Sequence, residues 1–195
     1  MSNLAWPNQE QSEAKNVSKE HSTQIVQWNS QLAGSQDEQI VALRQISNHD
    51  GVEGITASVV GLAGSCEDEV RMWALEALES AVQPCSGDVP QLIALVRDSA
   101  QGEVCYWAVT MLGRLGTEST PAVAALQQCL SESMFVLSRE RAAWALAQVG
   151  SAAASASETL KQAVDGGQPR LSQLAFEALQ AVTVSETNDI QGAAA

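Results

Sequence analysis

The sequence predicts an all-α fold, a solenoid built from about five helical hairpins. An apolar–Ala–apolar step recurs five times, at intervals of 32, 34, 37 and 30 residues. Each interval is long enough for two helices, and no strand-like alternation of apolar and polar residues lies between the recurrences. The residues that precede the five recurring alanines are Val41, Trp73, Trp107, Trp144 and Leu174.

The repeat domain is expected over residues 16–184. Residues 1–15 are polar without apolar periodicity and predict a disordered leader, and residues 185–195 predict a disordered tail. The expected hairpins pair residues 17–32 with 37–48, 52–62 with 68–82, 88–98 with 103–115, a helix from Thr120 with 138–149, and 155–164 with 169–182.

Glycine and proline set the expected helix ends. Pro84 stops the second helix of the second hairpin, and Gly116 and Gly150 close those of the third and fourth hairpins. Asp88 is expected to cap the helix that follows it, and Pro121 to occupy a first helical position.

The charge balance disfavours nucleic acid as a partner. Ten Lys and Arg against 23 Asp and Glu give a formal net charge of −13, and the arginines are spread through different repeats. No apolar run approaches the ~18 residues that a membrane span requires. The N-terminus also lacks the basic start and apolar stretch of a secretory signal. We therefore expect a soluble, cytoplasmic protein that binds neither nucleic acid nor a membrane.

The reactive side chains form no recognisable catalytic pattern. The four cysteines occur without a CxxC pair and the two histidines lie far from them, which favours reduced, packed thiols over a disulfide or a metal site. The sequence has no His-Glu dipeptide, nucleophile elbow or glycine-rich phosphate loop. We expect no catalytic residue, no cofactor and no metal.

The second helix of each hairpin carries the repeated alanine. Residues placed 100° apart around EVRMWALEAL bring Val70, Ala74 and Leu78 into one buried arc. Met72 and Glu76 lie opposite. Alanine is expected at the shared position because two helices approach closely there, and a larger side chain would force them apart.

The segments EVRMWALEAL, EVCYWAVTMLGRLG and RERAAWALAQVG resemble HEAT repeats of the short bacterial kind, also called phycobilisome-lyase-type repeats. The resemblance rests on the step Val70-Arg71 and on the closing Gly-Arg-Leu-Gly at 113–116, and it covers residues 17–183. It implies a right-handed solenoid of HEAT-like hairpins. It also implies a structural role for Arg71 and Arg141, in a ladder that joins neighbouring repeats.

In HEAT-like solenoids the second helices line the concave side, so the resemblance implies a recognition surface there. The repeat alignment predicts that residues equivalent to Met72 and Glu76 face it, among them Tyr106, Ala143 and Thr110. A mildly apolar row beside a file of three tryptophans is suited to taking a peptide or helix by shape and aromatic contact. The candidate partner-binding residues are Met72, Trp73, Glu76, Tyr106, Trp107, Thr110 and Trp144. Packing between repeats also explains the tryptophans, and both interpretations stay open.

The sequence therefore predicts a noncatalytic scaffold that binds an unidentified protein or peptide on its concave face. Two alternatives remain. The resemblance also admits an accessory protein of the phycobilin-lyase or chaperone type. A HEAT-like DNA glycosylase would suit the tryptophans, but it requires a basic concave face, which the net charge opposes.

Overall fold

The computed structural model describes residues 22–49 and 51–183, which form ten α-helices arranged in hairpins. The helices are α1 (22–32), α2 (Gln36–Ile46), α3 (Thr56–Leu62), α4 (Asp68–Ser80), α5 (Val89–Asp98), α6 (Gly102–Arg114), α7 (Val123–Glu132), α8 (Val136–Val149), α9 (Ser157–Asp165) and α10 (Pro169–Thr183). The predicted leader, the predicted tail and the start of the first predicted helix lie outside the described residues. Within those residues, no helix is both long enough and apolar enough to cross a bilayer.

Odd-numbered and even-numbered helices form two layers. Within hairpins, α3 packs on α4, α5 on α6, α7 on α8 and α9 on α10. Along the stack, α5 lies between α3 and α7 in one layer, and α8 lies between α6 and α10 in the other. The only extended pairing in the described part of the chain is an isolated bridge between Val52 and Val82. The structure is thus an α-solenoid, as the sequence predicts.

The five repeated alanines occupy equivalent buried places in the even-numbered helices. Each has a relative exposure of 0%: Ala42, Ala74, Ala108, Ala145 and Ala175. The predicted register of the repeats is therefore confirmed. A methyl group fits where neighbouring helices approach closely, whereas a branched side chain would displace them.

Two second helices end at the predicted glycines. Gly116 follows α6 with φ of 58°, and Gly150 follows α8 with φ of 68°. These left-handed backbone angles cost a glycine little, because it has no Cβ. The glycines turn the chain towards the next first helix, which lies in the other layer.

The first helices of the third to fifth hairpins are preceded by 3₁₀ turns, which the sequence did not predict. These turns are Ser86–Asp88, Gly116–Ala122 and Gly150–Ala156. The expected helix start at Thr120 is therefore wrong, because Thr120 and Pro121 lie within the second turn. The Ser119 hydroxyl stabilises that turn by donating to the Leu112 and Gly116 carbonyls at 2.7 and 2.8 Å.

The start of α3 also differs from the prediction. The backbone N–H of Val52 donates to the Ala81 carbonyl, and the Val52 carbonyl accepts from Gln83, both at 2.9 Å. These bonds hold residues 52–55 outside the helix, which begins at Thr56 rather than at 52. Long-range backbone pairing of this kind overrides a local apolar pattern.

Asp88 does not cap α5 with its side chain, as the sequence had suggested. The Asp88 carboxylate accepts the N–H of Cys85 at 2.9 Å and the hydroxyl of Thr56 at 2.8 Å, and Asp88 and Thr56 are both buried. One carboxylate therefore orders the turn before α5 and connects the second hairpin to the third. Such satisfied hydrogen bonds are what makes burial of a charged group tolerable.

Replacing Ala108 by Leu should destabilise the protein by about 1–3 kcal/mol, because the added carbons have no space where α6 packs against neighbouring helices. Chemical denaturation followed by circular dichroism measures the change. Ala94, exposed on α5, provides the matched control, and Ala94→Leu should change stability by less than about 0.5 kcal/mol. Equal stabilities of the two variants would show that the assigned register is wrong.

Candidate functional site

A groove of about 830 Å³ opens on the even-numbered layer. In this layer α2 packs on α4, α6 on α8 and α8 on α10, whereas α4 and α6 do not pack along their length. The groove occupies that seam and continues over α6 to the start of α8. Its volume lies within the range of about 300–1,000 Å³ that is usual for ligand pockets.

Aromatic and charged side chains form the floor and sides of the groove. α4 contributes Leu75 and Glu79 to the lining. α6 contributes Tyr106 and Trp107 together with four further residues: Gly102, Glu103, Thr110 and Arg114. The rings of Tyr106 and Trp107, both on α6, form an apolar floor of the groove, and polar groups lie at its edges. This composition is typical of sites that bind peptides.

An exposed apolar segment borders the groove where α7 turns into α8. We call this segment, residues 134–137, the apolar rim. Met134, Val136 and Leu137 are 82%, 46% and 62% exposed, which is unusual for three large apolar residues in so short a segment. The Phe135 ring instead lies over α6, where a Cβ built on Gly102 would be 2.7 Å from it. The absence of a side chain at Gly102 therefore lets the rim approach α6.

Arg141 joins the third and fourth hairpins through aromatic contacts. Its guanidinium lies 5.1 Å from the ring centroid of Tyr106 and 4.8 Å from that of Trp144. It also donates to the Tyr106 hydroxyl at 2.6 Å. Cation–π contacts and a hydrogen bond thus hold this guanidinium at the edge of the groove. The ladder role that the resemblance implied for Arg141 is met here by an aromatic partner on the preceding repeat.

Arg114 connects α6 to α4 across the seam. Its guanidinium donates to the Leu78 carbonyl at 2.7 Å and lies 5.9 Å from the ring centroid of Trp107. Partial burial lowers the pKa of Arg114, the charge of Arg141 lowers it further, and Glu79 acts in the opposite direction. Because arginine stays protonated at physiological pH, this shift reflects the partial burial of the guanidinium and then the nearby charge of Arg141, rather than a titration.

A third arginine–aromatic pair continues the pattern towards the N-terminal end. Arg44 of α2 lies 5.2 Å from the ring centroid of Trp73 on α4. The Trp73 indole nitrogen is buried and has no hydrogen-bond partner in the described part of the chain. By contrast, the Trp107 indole donates to Glu103 at 3.0 Å.

Arg71, the other residue for which the resemblance implied a ladder between repeats, stays within its own hairpin. It bonds to Asp68 and to the Ser65 carbonyl.

Trp144 packs against the backbone of α6. A Cβ built on Gly113 would overlap with the Trp144 ring, so the missing side chain at Gly113 is what admits the indole. Trp107 is 7% exposed. Packing between repeats therefore accounts for much of the surface of these two tryptophans, and their remaining edges face the pockets.

The structure brings some of the seven candidate residues together and leaves others apart. Tyr106, Trp107 and Thr110 line the groove, and Tyr106 also lines an adjoining pocket of about 190 Å³ together with Trp144. The remaining three candidates lie on α4 and line neither pocket; Met72 and Glu76 are exposed, and Trp73 is half-buried.

Two residues expected on the outward arc are buried. Thr110 is 4% exposed, and its hydroxyl donates back to the Tyr106 carbonyl at 2.8 Å. Ala143 is fully buried. The prediction transferred the exposed arc of α4 to every second helix, but α6 packs against α8, and α8 also packs against α10. Outward exposure of these two residues was therefore a wrong expectation.

Sequence reasoning missed the apolar rim and the two groove arginines. The rim is the run Met-Phe-Val-Leu at 134–137, and it falls outside the expected second helix because that helix is predicted to begin at 138. α8 in fact begins at Val136. Arg114 and Arg141 belong to different repeats, and no local pattern indicates that both reach one groove.

The thiols form one close pair. Cys105 and Cys129 are buried with their Sγ atoms 3.8 Å apart, and this contact lowers the pKa of Cys105 and raises that of Cys129. The expectation of packed thiols fits this pair, whereas Cys66 is exposed. No cluster of three or more His, Cys, Asp or Glu that could hold a metal ion occurs among residues 22–49 and 51–183.

Comparisons with known proteins support a repeat protein of the HEAT/armadillo type. Residues 89–180 match the family model of HEAT repeats. No curated protein matches the chain. An engineered protein solved by crystallography is similar, with a TM-score of 0.55 and 21% identity over 82% of this chain and 79% of that chain. A designed armadillo repeat protein is also similar, with a TM-score of 0.52 and 16% identity over 80% and 81% of the two chains. At these identities, the structural likenesses concern the fold alone.

Gly113→Ala should destabilise the protein by about 1–3 kcal/mol, because the new methyl group displaces the Trp144 ring. Gly61→Ala, in α3, should instead stabilise it by up to about 1 kcal/mol, since nothing lies within 4 Å of the added carbon. Thermal unfolding of both variants provides the measurement. Equal shifts of the two melting temperatures would contradict the packing of Trp144 on α6.

Proposed function

We propose that this protein is a noncatalytic scaffold that holds a peptide or helix of a partner protein in the groove beside α6. The apolar rim carries the proposal, since three large apolar side chains stay exposed beside a pocket with an aromatic floor. Exposed apolar patches next to a groove are characteristic of interaction surfaces. The solenoid fold is consistent with this role.

The partner would contact the groove through a few central residues. Tyr106, Trp107 and Thr110 would provide the floor, with the rim on one side and Trp144 in the adjoining pocket. Met72, Trp73 and Glu76 would extend the contact along α4, where Met72 is 55% exposed. Aromatic side chains at the centre of an interface usually contribute most of its binding energy.

A cytoplasmic location and the absence of membrane and nucleic-acid partners belong to the same proposal. The net charge of −13 supports the exclusion of nucleic acid. No feature of the groove favours a bilin or a DNA lesion over a peptide.

Leu137→Asp should weaken peptide binding by about 1–2 kcal/mol while leaving the fold intact, because the side chain is exposed in the free protein and lines the groove as part of the apolar rim. The probe is a peptide selected on the immobilised protein from a random display library, with affinity measured by calorimetry. Val26→Asp, on α1, is the control, since it also replaces an exposed apolar side chain by aspartate, at a residue that is 70% exposed, and this variant should bind normally.

A selection that yields no binding peptide would contradict a peptide-binding function. Peptides that bind Leu137→Asp as tightly as the unchanged protein would place the recognition surface outside this groove. Circular dichroism of each variant separates lost binding from lost folding.

Duplex DNA should bind no more tightly than about 10 µM at physiological salt, because the surface charge repels phosphates and releases few counterions. Fluorescence anisotropy of a labelled duplex, measured over a range of salt concentrations, tests this expectation. Submicromolar binding that weakens steeply with salt would contradict it and favour the glycosylase alternative.

A further inference from the structure

The groove contains two positive charges that are not neutralised by neighbouring carboxylates. Three ion pairs within 4.0 Å occur among the described residues: Arg71–Asp68, Lys161–Glu158 and Arg170–Glu140. Arg114 and Arg141, which both line the groove, belong to none of them. Other arginines of the described part of the chain also lie outside these pairs. What distinguishes Arg114 and Arg141 is that both line one groove, in a chain with more than twice as many acidic as basic residues.

Both guanidiniums are held in place before any ligand arrives. Arg141 is fixed by the Tyr106 hydroxyl and by two aromatic rings, and Arg114 by the Leu78 carbonyl and the Trp107 ring. Each guanidinium has five N–H donors. Among the described residues, each of the two guanidiniums bonds to a single oxygen acceptor. Several donors on each therefore remain for a ligand, and little side-chain entropy is lost when they bind it.

The nearby acids do not compensate these charges directly. Glu79 also lines the groove and attracts Arg114, but without forming an ion pair. Glu103 accepts the indole N–H of Trp107. Burial is the main cause that lowers the pKa of Arg114, and the positive charge of Arg141 lowers it further. Both arginines line the same groove, so an anion that contacts both would relieve their mutual repulsion.

We propose that Arg114 and Arg141 together bind the carboxylate of an aspartate or glutamate in a partner peptide, while the apolar rim binds a large apolar side chain close to it. The proposal rests on the function proposed above and specifies the chemistry of the partner. Guanidinium groups match carboxylates geometrically and form charge-assisted hydrogen bonds with them. The recognised segment is therefore short and carries an acidic residue beside an apolar one.

The charge of the rest of the protein limits which acidic segments can bind. With a net charge of −13, the surface outside the groove repels a run of carboxylates. For one or two acidic residues placed at the arginines, attraction to the guanidiniums exceeds repulsion by the rest of the surface. For a polyacidic segment, the repulsion is larger. Specificity therefore comes from an attractive subsite within a repulsive surface.

The experiment uses the display-selected peptides and changes the peptide and the protein in parallel. Selected sequences should contain an Asp or Glu near Leu, Phe or Trp. Replacing that acid by its amide should weaken binding at least about tenfold, and so should Arg114→Gln or Arg141→Gln. Arg97→Gln, an exposed residue on α5, removes the same charge elsewhere and should change affinity less than about twofold.

A double-mutant cycle tests for direct contact. If the peptide carboxylate meets the arginines, the amide peptide should lose no further affinity when tested on Arg141→Gln. The peptide substitution needs no altered protein, so it remains informative if an arginine variant folds poorly. Arg141→Lys retains the charge without the planar fork and should recover only part of the affinity.

The outcomes separate this inference from the proposed function. Neutral or basic selected peptides, or an amide substitution with less than a twofold effect, would overturn the carboxylate subsite; if Leu137→Asp still weakened binding, the groove would remain the peptide site. Insensitivity to both the arginine and the rim variants would overturn both proposals. Displacement of the peptide by duplex DNA at low micromolar concentration would show that the arginines recognise phosphates, and would overturn the carboxylate subsite.

Discussion

Close packing of neighbouring helices around one buried alanine per repeat is the constraint on which the rest of this structure depends. The five alanines are fully buried, and the contacts above them follow from the spacing that they permit. Only helices this close allow Arg141 on one repeat to reach Tyr106 on the preceding one, or a tryptophan to lie on a glycine of its neighbour. The same absence of side-chain bulk recurs at Gly102 and Gly113, so small residues determine where the large ones can be placed.

The arginine–aromatic contacts reconcile the two interpretations of the tryptophans. Trp107 is mostly buried and Trp144 covers α6, so both contribute to packing between repeats. Each also lies beside a guanidinium that bonds to one protein oxygen among residues 22–49 and 51–183, and this combination makes a rigid surface. In the proposed function, packing and recognition therefore use different edges of the same side chains. Rigid arginines lose less entropy on binding than mobile surface arginines do.

Much of the fold could be predicted from the sequence, because the repeated alanines and the glycines after α6 and α8 are each dictated locally. The groove could not be predicted. Its width depends on how far α4 and α6 stand apart, which no periodicity records. Thr110 was misplaced for a related reason, since a helical wheel gives the direction of a side chain but not which neighbour covers it. The 3₁₀ turn at Pro121 and the shortened α3 depend on hydrogen bonds from residues elsewhere in the chain.

The sparse packing between α4 and α6 has a consequence for how the chain unfolds. In a solenoid, stability is approximately the sum of what each repeat contributes and what each interface between neighbours contributes. In the even-numbered layer, the interface between the second and third hairpins includes the bond from Arg114 to the Leu78 carbonyl, while the other layer adds contacts of α3 with α5 and α6. The three C-terminal hairpins are joined more extensively. Unfolding should therefore lose cooperativity at this interface, with the two N-terminal hairpins exchanging their amide hydrogens faster than the three that follow.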